Sequence, residues 1–190
     1  MYTIQHALPA DAAPLSELAR TTFFDAFGTY NSDSDMAIYA SQNFGYEKKL
    51  QEIGDAKNRV RIAWAGGRAI GFYYLVKGNL DPSVKGPRPI GLSKLYVDKH
   101  WHGKKIGEAL LLDSLDLAQR EGFETMGLAV WEQNLRARAF YRKNFFAEVG
   151  KCEFILGTDR QTDLILQRPI QLSQAKSART AQTELSLGYR

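Results

Sequence analysis

Residues 90–131 restrict the fold of this chain more than any other segment. Residues 90–97 read as a strand, and His102-Gly103-Lys104-Lys105-Ile106-Gly107 follows as a glycine-containing loop. Ile106, Leu110, Leu111, Leu112, Leu115 and Ala118 then recur at helical spacing within residues 104–120. Gly122 stops that helix, and residues 125–131 return as a nearly continuous apolar strand, the pattern of a central strand covered on both faces. A strand, a helix and a second strand in this succession form a crossover, which brings two strands parallel. A chain that contains one belongs to the mixed α/β class.

The remaining segments agree with that class. Tyr2, Ile4, His6 and Leu8 alternate as on a half-buried strand, and Asp11 is placed to cap a helix carrying Leu15, Leu18, Thr22, Phe23 and Phe27 on one stripe. Gly28 ends that helix, and two shorter helical segments follow, one with Met36, Tyr39 and Phe44 and one with Tyr46, Leu50 and Ile53. Val60, Ile62 and Trp64 alternate with arginines, Gly66-Gly67 reads as a tight hairpin turn, and residues 69–76 return as a buried strand. Residues 78–89 are an irregular loop; residues 135–145 read as a helix, and 148–156 and 162–166 as closing strands. From residue 171 the chain turns polar. The expected organisation is one domain over 1–170 and a flexible C-terminal tail over 171–190.

Composition narrows the function classes. The formal net charge of the 190 residues is +4, but Lys176, Arg179 and Arg190 against Glu184 place half of it in the last twenty residues. No concentrated basic face is left for nucleic acid. The longest nearly apolar stretch, residues 69–76, is far too short to span a bilayer, and the N-terminus has no signal-peptide pattern. Cys152 is the one cysteine, which excludes a disulfide framework and makes a reducing, cytoplasmic setting the expectation. Neither His6 nor His100 has metal-ligand spacing to a partner, so no metal is expected.

Two constellations carry chemistry. The loop His102–Gly107, lying between a strand and a helix start, presents backbone N–H groups and a positive dipole end, with Lys99, Lys104 and Lys105 around it. It is neither a Walker loop nor a dinucleotide fingerprint, and an ordinary turn with solvated lysines remains the alternative. In the second constellation, Asn134 caps a helix on which Asn134, Ala137 and Tyr141 share one face, the two polar groups about 10 Å apart along the axis. Ala137 leaves room there for a slender ligand; the alternative is a cap and a core tyrosine that happen to share a face. Together the constellations sit at the same end of two adjacent parallel strands, where α/β sheets bind ligands.

These residues resemble the GNAT superfamily of acyl-CoA-dependent N-acetyltransferases over residues 1 to about 168. The superfamily signature R/Q-x-x-G-x-G/A maps onto His102 to Gly107, with His102 in place of Arg or Gln and Lys105 in place of the first glycine. Asn134 and the Phe140-Tyr141 pair match without departure. A narrower resemblance, to the polyamine (PaiA-like) acetyltransferase branch, rests on Thr22-Phe23, Asn31, Asp35-Met36, Tyr39, Phe44, Ala129-Val130-Trp131-Glu132, Phe154, Leu156-Gly157 and Thr162-Asp163. The resemblance implies a mixed, mostly antiparallel sheet with one parallel β-α-β crossover and helices on both faces. It implies acetyl-CoA as co-substrate, a small-molecule amine as acceptor, possible polyamine specificity, and a monomer or homodimer.

The resemblance also distributes roles. Gly103, Lys104, Lys105, Ile106 and Gly107 would hold CoA phosphates through their N–H groups, beside His102. Leu95, Tyr96 and Val97 would present a free strand edge to the pantetheine arm and an N–H to the oxyanion. Tyr141 would protonate the leaving thiolate, and Asn134 and Ala137 would line the arm. An alkylammonium must lose a proton first, since its ordinary pKa is about 10.4. Glu132, at the end of the central strand, is the candidate base, and a solvated loop carboxylate is the alternative. Asp25, Asp33 and Asp35 form an acidic region that could attract a cationic amine. A CoA-binding sensor with little turnover is the competing function.

Overall fold

The computed structural model describes residues 1–78 and 80–170; the expected tail over 171–190 lies outside the described residues. A seven-stranded sheet runs through the molecule, built from β1 (Thr3–His6), β2 (Asn58–Ala65), β3 (Arg68–Val76), β4 (Pro89–Val97), β5 (Thr125–Trp131), β6 (Ala147–Leu156) and β7 (Asp159–Pro169). Their order across the sheet is β1-β2-β3-β4-β5-β7-β6. Every neighbouring pair is antiparallel except β4 and β5, which the crossover through α4 (Ile106–Arg120) makes parallel.

Helices cover both faces, as the two apolar sides of a central sheet require. On one face α4 inserts Ile106, Leu110, Leu111, Leu115 and Ala118 among Ile90, Leu92, Met126 and Leu128. The short helix α5 (Leu135–Lys143) joins this core through Tyr141, with Ala137 and Phe140 half-buried against it. On the other face lie α1 (Ala12–Phe27), α2 (Asp33–Asn43) and α3 (Tyr46–Gly54). Leu15, Leu18 and Ala19 of α1 pack on Val60, Ile62, Phe72 and Tyr74, and Phe23 and Met36 form a smaller cluster with Leu156.

The relation between β4 and β5 decides what the fold can do. Their pairing runs only from Pro89 opposite Thr125 to Gly91 opposite Gly127. Beyond it, Leu95, Tyr96 and Val97 still pair with Tyr73, Phe72 and Gly71 of β3, so their other edge is left open. A bulge starts the divergence: Tyr74 faces Lys94 and Leu75 faces Leu92, which leaves Ser93 as an extra residue on β4.

Four expectations need correction. β5 is not covered along its whole length, because Ala129 and Ser93 are exposed where the two strands part. Helix α4 starts at Ile106 rather than Lys104, because Lys105 takes a left-handed conformation (φ 61°). Helix α5 stops at Lys143 and Phe145 leaves it with φ 65°, while β7 extends over Asp159–Pro169.

Candidate active site

The open edge of β4 is one wall of a cleft of about 990 Å³. Leu95, Tyr96 and Val97 form that wall; His102, Gly103, Lys105, Ile106 and Gly107 close one end. Asn134, Ala137, Phe140 and Tyr141 of α5 form the opposite wall, and Thr22, Asp25, Ala26 and Tyr30 come from the α1 side. The two constellations read from sequence therefore meet in a single cavity. Lys104 and Glu132 do not line it. The Lys104 ammonium lies 4.6 Å above the Trp101 ring, and Glu132 faces a neighbouring depression of about 570 Å³.

The loop that closes the cleft is built for an anion. Among the described residues no group accepts from the N–H of Gly103, Lys105, Ile106 or Gly107. Gly103 (φ 76°) and Lys105 turn the backbone so that this row stands at the positive end of α4. Asp98, buried, fixes the approach: its carboxylate accepts from the His100 N–H at 2.9 Å and from the Arg68 guanidinium at 3.1 Å. His102 Nε2 lies 2.9 Å from the Val97 carbonyl, and its Nδ1 lies 2.8 Å from Arg136 Nη1. That contact brings Arg136, which the sequence reading passed over, to the cleft beside the loop. Its signal was its place in the first turn of the helix that Asn134 caps.

At the centre stands Tyr141, with 8% of its surface exposed and no hydrogen-bond partner for its hydroxyl among the described residues. Burial pushes its phenol above the ordinary 10.0, so it stays protonated at neutral pH. Asn134 Oδ1 accepts from the Ala137 N–H at 3.0 Å and so caps α5, leaving the amide nitrogen as its free polar group. Tyr96 is raised by burial first, then by Tyr39, Tyr141 and Asp163.

The carboxylates fall out differently from the acidic region read in sequence. Asp25 pairs with Lys99 at 2.8 Å, tying α1 to the turn after β4. Asp35 accepts from the N–H and hydroxyl of Thr158, and these bonds, with Ser32, hold its carboxyl below the ordinary range. Glu132 lies 3.7 Å from Lys151, with 39% of its side chain exposed. Asp163 is the exception. Its Oδ1 is buried without a hydrogen-bond partner among the described residues, and burial pushes its carboxyl up to about 6.

An open strand edge, a loop of unpaired N–H groups at a helix start and a buried phenol thus share one cleft. Residues 15–145 match the model of the Acetyltransferase (GNAT) family, and the chain belongs to that family. It is 27% identical over 157 residues to an uncharacterised N-acetyltransferase of Lactobacillus delbrueckii subsp. lactis, covering 80% of this chain and 88% of that one. It is 28% identical over 141 residues to the spermidine N(1)-acetyltransferase of Thermoplasma acidophilum, covering 72% and 82%. The crystal structure of a PaiA N-acetyltransferase from Thermoplasma acidophilum in complex with coenzyme A has the same fold, with a TM-score of 0.74 and 23% identity over 89% of this chain and 99% of that one. No helix among the described residues is long and apolar enough to cross a membrane.

Proposed function

We propose that this acyltransferase moves an acetyl group from acetyl-CoA to the primary amine of a small molecule, with polyamines the first acceptors to test. The observation that carries the reading is the divergence of β4 from β5, which leaves Leu95–Val97 facing the cleft between the loop and Tyr141. The residues fit CoA. The N–H groups of Gly103, Lys105, Ile106 and Gly107 suit its pyrophosphate, and the open β4 edge suits the amide-bearing pantetheine arm. The thioester supplies an activated acyl carbon and a stable leaving thiol.

The chain's own groups would do the rest. A β4 N–H at Leu95 or Val97, the residues whose backbone groups point away from β3, stabilises the oxyanion as the amine attacks, an interaction strengthened by exclusion of water. The Tyr141 hydroxyl donates its proton to the departing sulfur. Asn134 and Ala137 keep the arm against α5.

Purified protein with acetyl-CoA and a panel of diamines, polyamines, monoamines and amino acids, followed by thiol release, tests the reading. Amine-dependent thiol release with formation of the N-acetyl product is the expected result. Tight CoA binding with no release for any amine would sink it in favour of a CoA-binding sensor.

A further inference from the structure

We propose that Asp163 is the seat of the acceptor's ammonium group and the base that takes its proton; the proposal rests on the acetyl-transfer reading above. β7 aligns Asp163 with Trp131 of β5 and Cys152 of β6, so all three side chains leave the same face of the sheet, opposite the α4 face. On that face Ala129, two residues before Trp131, is exposed where β4 and β5 part, so solvent reaches the sheet beside the Trp131–Asp163 pair.

The surroundings are aromatic. Tyr39 of α2 stands 5.8 Å from Phe154, which shares its sheet face with Cys152, and Trp131 packs against Phe27 and Tyr30. Burial first, and the charge of Asp163 among the lesser causes, raises both Tyr39 and Tyr96. A carboxylate walled by aromatic rings is a site for an alkylammonium, which gains the ion pair and the ring faces together. Among the described residues no cation pairs with it. Lys94, two residues before Tyr96, is held at 2.8 Å by Glu52, and burial alone raises Asp163. A buried carboxylate oxygen without a donor is costly to keep, and an incoming ammonium supplies the missing donor.

The protons balance. The ammonium loses one proton to the Asp163 carboxylate, which passes it to solvent. The neutral nitrogen then attacks the thioester carbon and forms the C–N bond. When the C–S bond breaks, the sulfur takes the electron pair and the Tyr141 proton, and the nitrogen's surplus proton restores the Tyr141 phenolate.

Three measurements test the assignment. Asp163→Asn should lower kcat/KM for amines by about 100-fold or more, leave CoA affinity within about twofold, and not lower the melting temperature, since among the described residues the buried Oδ1 has no hydrogen bond to lose. The acid limb of the wild-type kcat/KM profile near pH 6 should vanish in the variant. The titratable groups around Asp163 are Tyr39 of α2, Tyr96 of β4 and Cys152 of β6, all held neutral there by upward shifts, and Asp81 of the loop packed on the same face, whose carboxyl the Ser83 N–H holds below its ordinary 3.8, so none replaces that limb. In wild-type protein with CoA bound, adding an unacetylated amine should lower the pH at which the Asp163 carboxyl carbon titrates by NMR, a result independent of any variant. Activity of Asp163→Asn within about threefold of wild type, or an unmoved carboxyl titration, overturns the assignment while acetyl transfer stands. Wild-type protein inactive on every amine overturns the acetyl-transfer reading instead.

Discussion

His102 and Arg136 are joined side chain to side chain, with Arg136 Nη1 2.8 Å from His102 Nδ1. A guanidinium only donates, so Nδ1 accepts and the proton sits on Nε2, which donates to the Val97 carbonyl 2.9 Å away. The imidazole thus ties the end of the open strand to the first turn of α5 and turns Arg136 toward the anion loop. At the position where the family signature carries Arg or Gln, this chain has a histidine, and a guanidinium arrives from another helix.

Arg136→Ala should therefore raise KM for acetyl-CoA about 3- to 10-fold with kcat nearly unchanged, the signature of an interaction made equally in ground and transition states. The effect should shrink at high salt, because Arg136 is exposed. Initial rates at varied acetyl-CoA and two ionic strengths check both points. An unchanged KM would mean that the guanidinium does not reach the phosphates.

Tyr141→Phe should reduce kcat about 10²- to 10⁴-fold, the range for loss of a general acid, with CoA affinity preserved. The substitution removes one oxygen from a ring that stays packed against Phe140 and Phe146. Because burial holds the phenol above 10.0, wild-type kcat should show no alkaline loss from this group up to about pH 9. Single-turnover thiol release across that range is the measurement.

Lys105→Gly tests the loop itself. Lys105 holds φ 61°, a region that disfavours any side chain, and its N–H has no acceptor among the described residues. Glycine should raise stability by up to about 1 kcal/mol, net of its greater freedom in the unfolded chain, and change KM for acetyl-CoA less than about threefold. Denaturant midpoints and initial rates together decide; a large rise in KM would show that the ammonium itself holds phosphate.

Helical spacing made Asn134, Ala137 and Tyr141 legible as one face, and glycine placement made the loop at Gly103 legible, since both depend on residues close in sequence. What stayed hidden depends on pairing across the chain. Asp25 reads as part of an acidic loop until Lys99, 74 positions away, arrives beside it. Glu132 sits where a base should be, yet the strand end directs it to Lys151. Asp163 sat in plain view, an acidic residue at the head of the apolar run Leu164-Ile165-Leu166. Its burial became visible only once β7 was placed between β5 and β6. The exposed Ala129 within an otherwise buried strand has the same origin, because the bulge at Ser93 leaves no local signature.

The stability of the sheet face under α3 should run against the usual alkaline trend. Lys49 is fully buried, with its ammonium 2.7 Å from Glu52 Oε2; Lys94 holds Oε1 at 2.8 Å and the Tyr74 hydroxyl donates to Oε2 at 2.9 Å. Burial first, and then Lys94, push Lys49 down from 10.5 to about 8. Burial pushes Glu52 up, but the two ammonium groups outweigh it and hold the carboxyl below 4.5. Between about pH 8 and 10.5 the unfolded chain therefore binds more protons at Lys49 than the folded one, so this group's contribution to stability rises with pH. Glu52 acts in the opposite window, its contribution being lost as the pH falls below its ordinary 4.5. Glu52→Gln leaves two cations facing each other at a buried site and should cost about 3–5 kcal/mol at pH 7. At pH 9 Lys49 is already mostly neutral in the native protein, so the same substitution should cost clearly less. Urea unfolding of wild type and Glu52→Gln at pH 7 and pH 9 measures the difference, and an equal or larger loss at pH 9 would place the proton of Lys49 elsewhere.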